Sequence, residues 1–119
     1  MNVINLAAKF ELFNDYWSPK IVGALNGQQV KLVKLKGEFV WHQHENEDEL
    51  FLVIKGQLLM RLRDQDLVLN AGELCIVPRR VEHKPVAEEE VHVLLFEPTS
   101  TFNTGSVRSE HSRDQLEWI

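Results

Sequence analysis

Cysteine is all but absent from this chain of 119 residues: Cys75 stands alone, so no intrachain disulfide can brace the fold. Basic residues are in deficit, 13 Lys and Arg against 18 Asp and Glu. The formal charge is therefore −5, which disfavours a nucleic-acid partner. Long apolar runs are missing too. Stretches such as Leu50–Ile54 end after five residues, far short of the ~20 that a membrane-spanning helix needs. The opening residues Met1–Leu6 carry no basic region of the kind that begins a secretory leader, so a cytoplasmic location is the expectation. There is no Gly-rich phosphate loop, no Ser-His-Asp pattern, no internal repeat and no low-complexity tract. With 44% hydrophobic residues, the 119 positions suffice for one compact domain over residues 1–119 and are too few for two.

The residues that are present alternate short apolar runs with turn formers. Asn26-Gly27 lies between Ile21–Leu25 and Val30–Val33, a strong tight-hairpin signal. Phe39–His42, Leu50–Ile54, Leu58–Arg63, Leu67–Leu69, Leu74–Val77 and Val91–Phe96 are further strand-like runs. Glu88-Glu89-Glu90 reads as a solvated hairpin loop that separates Lys84–Val86 from the last run. Eight or so short strands at this spacing predict an antiparallel sandwich or barrel. Helix is expected only near the termini. Asn5 would cap one through Phe13 with Leu6, Phe10 and Phe13 on one face, and Ser112 would cap a turn near Asp114–Trp118. Thr99–Ser112 is polar and expected to pack irregularly on the surface.

Three histidines and one carboxylate stand out against this background. His42 and His44 are two apart, so on extended chain both project from one face. The polar turn Glu45–Asp48 would bring Glu49 back beside them, and the turn at Pro78-Arg79-Arg80 would deliver His83. Three imidazoles and a carboxylate suit one divalent transition ion, with coordination positions left open for a ligand. The set accepts zinc, iron, manganese or nickel and does not choose among them. Glycines at Gly37, Gly56 and Gly72 would permit the tight bends such convergence needs.

These spacings resemble the two motifs of the cupin superfamily, and in particular the small cupins similar to mannose-6-phosphate isomerase. The first motif reads Gly37, four residues, His42-Gln43-His44, four residues, Glu49, six residues, Gly56. The second reads Gly72, five residues, Pro78-Arg79-Arg80, two residues, His83, three residues, Ala87. Arg80 stands where the family pattern has glycine and Ala87 where it has asparagine; neither position is a ligand. The resemblance implies an all-β cupin-type double-stranded β-helix, a jelly-roll barrel with short terminal helical segments. It implies metal ligation by His42, His44, Glu49 and His83, a small-molecule ligand in the barrel, and a homodimer. It spans dioxygenases, isomerases, lyases and binding proteins. A metalloenzyme of dioxygenase or isomerase type, acting on a small polar or carbonyl compound, is the leading expectation. A noncatalytic metal-dependent binding or sensor module is the alternative. No catalytic acid or base is assigned.

Other residues carry plainer expectations. Phe51 and Val53 share the parity of Glu49 and should form an apolar pocket wall, with Leu50, Leu52 and Ile54 facing away. Trp41 should point opposite to His42. Arg79 and Arg80 are expected to be exposed turn residues and not anion binders. Cys75 reads as a buried structural thiol, and His92 as structural. His111 reads as solvated. Lys31, Lys34 and Lys36 read as a solvated stripe that protects a sheet edge.

Overall fold

The computed structural model describes all residues from Met1 to Ile119. One short helix, α1 (Leu6–Phe10), precedes eight strands: β1 (Lys20–Leu25), β2 (Gln28–Glu38), β3 (Glu49–Lys55), β4 (Gln57–Leu62), β5 (Asp66–Asn70), β6 (Leu74–Val77), β7 (His83–Pro98) and β8 (Glu117–Trp118). The Asn26-Gly27 turn joins β1 to β2, with both residues at positive φ (50° and 77°) as a tight hairpin requires.

Two strands run through both walls of a jelly roll. The second half of β7 pairs with β3 on one side and with β2 on the other, so Leu95 lies between Phe51 and Lys31. Its first half pairs with β4, matching Leu62 to His83 and Leu59 to Val86. Between the halves, β2 pairs Leu35 with Val91 and Gly37 with Ala87. Lys36 therefore stands opposite Glu88-Glu89-Glu90, and these glutamates form a bulge inside a single 16-residue strand, not a hairpin loop. The acidic run reads as a loop because it is fully solvated. It is strand because β2 bends beside it.

Fourteen buried residues fill the space between the walls, with Val53, Leu58, Met60 and Val93 wholly buried. Burying such a side chain contributes about 1.5–3 kcal/mol. Alternation decides membership: in β7, His83, Pro85 and Ala87 face inward before the bulge, and Val91, Val93, Leu95 and Glu97 after it. A second cluster of Phe10, Phe13, Val22 and Leu32 seals the outer face of β2. Asn5 caps α1 by accepting from the Ala8 N–H at 3.0 Å, but the helix ends at Phe10, and Phe13 joins the cluster from the following coil.

The C-terminal expectation is corrected. Residues Glu117–Trp118 form β8, parallel to β1, and the Ile119 N–H donates to the Ile21 carbonyl at 3.0 Å. Strand pairing along an open edge outweighs the local capping signal at Ser112. The lysine stripe is also corrected. Lys31 and Lys34 are buried, and only Lys36 is exposed. Lys31 faces the barrel interior, while the N-terminal segment covers Lys34, whose ammonium donates to the Phe13 carbonyl at 2.6 Å. No helix is long and apolar enough to cross a membrane.

The turn before His83 keeps its shape despite Arg80. That residue sits at φ +67°, the left-handed region glycine adopts freely, and its N–H donates to the His44 carbonyl at 2.8 Å. An L side chain there costs about 1–2 kcal/mol, partly offset because glycine orders at greater entropic cost. Arg80→Gly is expected to raise unfolding free energy by about 0.5–1 kcal/mol in urea titrations. A loss of stability would contradict this account of the turn.

Candidate metal centre

All four sequence-derived candidates meet inside the barrel. His42, His44, Glu49 and His83 are each buried, and one donor atom from each lies within 4.8 Å of all the others. Phe39–His44 is not the regular strand expected from its pattern, while Glu45–Asn46 bend as the polar turn predicts. The first stretch is extended coil pinned by one bridge, in which the His42 N–H donates to the His83 carbonyl (3.1 Å) and the His83 N–H to the His42 carbonyl (2.9 Å). That bridge sets the two imidazoles 4.2 Å apart, centroid to centroid. Glu49 opens β3, and His83 opens β7. Gly56, which closes the first motif, lies so close to the Glu90 carbonyl and Val91 that a Cβ would collide, at a φ of +92°.

The hydrogen bonds settle which nitrogens face the centre. Nδ1 of His42 contacts the Val40 carbonyl and Nδ1 of His83 the Val81 carbonyl, each at 2.9 Å. A carbonyl only accepts, so both Nδ1 atoms carry the proton and each neutral ring turns an Nε2 lone pair inward. Glu49 Oε1 lies 3.3 Å from His83 Nε2 and 3.3 Å from His44 Nε2. Neither ring nitrogen of His44 has a hydrogen-bond partner, although the side chain is buried. Two inward lone pairs, a buried carboxyl and an unpartnered imidazole packed together are unfavourable unless a cation sits among them. Ligands at about 2.0–2.2 Å from an ion stand about 3–3.5 Å from their neighbours, so the residues fit a first-row divalent ion.

Burial and neighbouring charge tune these groups. Desolvation, followed by the neighbouring His83, pulls the His42 pKa down to about 4. Burial alone would push Glu49 up, but the neighbouring Glu97, His44 and His83 side chains hold its carboxyl well below the usual range. Glu97 moves the other way: burial and the adjacent Glu49 raise it well above the usual range, against the pull of Lys31.

The centre opens onto a cavity of about 40 Å³, room for only a few waters. Its wall is mainly apolar, with Trp17, Val33, Leu35, Phe39, Phe51 and Leu95, while His42, Glu49, Glu97 and Asn103 add polar atoms. Phe51 and Val53 face inward as their parity predicts. The C-terminal segment covers the mouth. The Asn103 amide donates to the His111 carbonyl at 2.7 Å, and Gly105 presses against the Gln43 carbonyl so closely that a Cβ would collide. His111 is not solvated as expected: it stacks on Phe39 at 5.3 Å and near Trp17 at 5.7 Å.

Residues outside the centre fall largely where expected. Arg79 is bound to Asp48 and Arg80 to Glu45, all exposed. Trp41 packs under the Arg63 guanidinium at 3.8 Å. His92 stacks on Phe10 at 4.4 Å and contacts Glu90, away from the centre. Cys75 is half-buried, and burial and the nearby Glu49 push its thiol up to about 11, so it stays protonated. Sequence reasoning missed Glu97, Lys31, Trp17 and Asn103. Glu97 carried a signal, since it shares parity with Val91, Val93 and Leu95.

Comparison with known proteins places the chain. The cupin domain model matches residues 30–97. The protein belongs to the cupin family. A cupin-2 domain containing protein from Shewanella frigidimarina superposes with a TM-score of 0.80 at 50% identity, covering 81% of this chain and 94% of that one. The uncharacterized protein YdbB of Bacillus subtilis is 34% identical over 64 residues, 53% of this chain and 57% of that protein. The 3-hydroxyanthranilate 3,4-dioxygenase 2 of Aspergillus fumigatus is 30% identical over 84 residues, 66% of this chain. The chain thus spans a little over half of the Bacillus protein and 40% of the dioxygenase.

The His42 shift has a direct consequence for the protein stripped of metal by chelator. Its folded pKa lies below the unfolded value of 6.5. As pH falls from about 6.5 to 4, the unfolded chain takes up a proton that the folded site refuses, so stability is lost across that window. The loss is expected to reach about 3 kcal/mol. Urea unfolding at pH 7 and pH 4.5 measures it, and His42→Gln should flatten the dependence. An equally steep profile in that variant would refute the assignment.

Proposed function

We propose that this protein, as one domain over residues 1–119, binds a single divalent transition ion through His42, His44, Glu49 and His83. In this reading it is a small cytoplasmic metalloenzyme of dioxygenase type. The observation that carries it is the convergence of one ligand atom from each of four buried side chains beside a cavity, with His44 lacking a hydrogen-bond partner at either ring nitrogen. Such an ion supplies Lewis-acid chemistry and, when it is iron, activation of dioxygen. The protein's own groups do the rest. The carbonyls of Val40 and Val81 hold the two Nδ1 protons and so fix the rings. The apolar wall limits water, and Glu97 places a buried carboxyl beside the ligand space.

Within the family's range, the cavity favours dioxygenase over sugar-phosphate isomerase chemistry. It has no free cation to anchor a phosphate: Lys31 is paired with Glu97, and Arg79 and Arg80 point to surface carboxylates. The partial likeness to a 3-hydroxyanthranilate dioxygenase supports the same direction. A purely binding role would not need a buried carboxyl at the ligand space, and Glu97 provides one. Elemental analysis of protein purified without added metal is expected to find about one ion per chain. His44→Ala and His83→Ala should lose nearly all of it while keeping the β-sheet circular dichroism. Full metal content in both variants would refute the site. Oxygen uptake by the iron-loaded protein, with 3-hydroxyanthranilate as a probe, then tests the reaction class; no uptake with this or smaller phenols counts against it.

We also propose that two copies associate through the face around β6. That strand pairs only with β3, and Leu74 and Ile76 are 55% and 59% exposed. They continue an apolar row through Leu50, Leu52, Leu94 and Phe96, which lie beside them in register. An unpaired apolar edge of this kind associates or aggregates in water. Sedimentation equilibrium should give the mass of a dimer, and Ile76→Glu should give a monomer. A monomeric wild type would overturn this.

A further inference from the structure

We propose that a second cleft, between the C-terminal segment and strands β1 and β2, binds a small monocarboxylate with the Arg113 guanidinium as its anchor. The cleft encloses about 180 Å³. Lys31, Thr101 and Arg113 line it and do not line the metal cavity, while Asn103 borders both spaces. Strand parity explains the division. Gln29, Lys31, Val33 and Leu35 alternate along one side of β2, and the first two border the cleft while the last two border the metal cavity. The Lys31–Glu97 ion pair, 2.8 Å from Nζ to Oε1, stands between them, since Lys31 lines one space and Glu97 the other.

Arg113 differs from the other arginines. Arg61, Arg63, Arg79, Arg80 and Arg108 each have a carboxylate oxygen within 3.4 Å. Arg113 has none. Its Nη1 donates to the Glu110 and Ser112 carbonyls, each at 3.0 Å, and its backbone N–H donates to Asn103 Oδ1 at 2.9 Å. These contacts hold the residue in place and leave the edge formed by Nε–H and Nη2–H without a protein partner. That edge suits a carboxylate, which it meets with two parallel hydrogen bonds. Arg79 grips Asp48 through the same pair of nitrogens, each at 3.3 Å.

A second observation points the same way. Thr101 is 7% exposed, yet its Oγ1 has no hydrogen-bond partner. Buried hydroxyls ordinarily find one, so a polar group is left over at the cleft wall. Lys31 likewise spends one of three ammonium donors, on Glu97. Charge sets the class of ligand. Glu97 offsets Lys31, and Asp114 is taken by Arg108 at 2.8 Å. Arg113 then remains as a single uncompensated positive charge, which matches a monocarboxylate better than a dianionic phosphate. Ile21 and Phe102 add apolar surface for a short hydrocarbon stem.

The test titrates the purified full chain with butyrate by calorimetry at fixed ionic strength. Saturable binding of about one butyrate per chain is expected, with no binding of uncharged butyramide and weaker binding of inorganic phosphate. Arg113→Gln should weaken butyrate about 10–100-fold, the loss of a charge-assisted contact. Arg113→Lys keeps the charge and the fold, and should still weaken binding about tenfold because an ammonium lacks the two-pronged edge. His44→Ala, which disables the metal centre, should bind butyrate as the wild type does. Loss of binding in that variant would assign the butyrate to the metal centre and overturn the inference. Equal binding of butyramide, tighter binding of phosphate, or wild-type affinity in either Arg113 variant would overturn it too, and each leaves the metal-site reading standing.

Discussion

Two backbone hydrogen bonds exchanged by His42 and His83 join the ends of two distant segments, and the centre is built around that join. Residues 39–48 have no strand partner along most of their length and rest on scattered hydrogen bonds, such as the Phe39 N–H to the Pro85 carbonyl at 3.0 Å. The bridge gives them one fixed point. The Arg80 N–H, bound to the His44 carbonyl, gives a second. With both in place, His42 and His44 keep a common direction although their segment lacks a regular ladder. Glu49 then needs only to begin β3, and His83 only to begin β7. The cluster combines two strand starts with a coil segment, held together by main chain.

The interior imposes the next constraint. A barrel core is dry, and each polar group inside must find a partner or a compensating charge. Nδ1 of His42 and of His83 find carbonyls, and Lys31 finds Glu97. His44 finds nothing, and that leftover valence is the most direct sign of what the centre is for. The charge balance agrees. One carboxylate among neutral imidazoles leaves a site that a divalent ion would enter with net favourable charge, while Lys31 keeps Glu97 from adding unshielded negative potential.

The aromatic residues at the mouth connect site to surface. Trp17 arrives from the N-terminal coil and His111 from the C-terminal segment, and Phe39 stacks against both. None belongs to a metal motif, yet together with Asn103 they define how large and how polar a guest can be. A volume of about 40 Å³ is small for an organic substrate. The turn around Asn103 and Gly105 borders this space, held by the Asn103 amide on the His111 carbonyl and the Ser106 N–H on the Gln43 carbonyl.

Much of this was legible in the chain. Parity placed Phe51 and Val53 inside, Asn26-Gly27 marked the hairpin, and the spacing of His42, His44, Glu49 and His83 picked out the four clustered residues. These signals are local, because side-chain alternation and turn chemistry depend on a few neighbours. The bulge at Glu88–Glu90, the burial of Lys31 and Lys34, and the edge strand at Glu117 were not legible. Charged residues look solvated in a sequence, and only a bend in β2, a covering N-terminal segment or an open sheet edge makes them otherwise. The four clustered residues were therefore written in the sequence, while the buried Glu97 and the segment over the mouth arose only when strands far apart in the chain closed around one dry space.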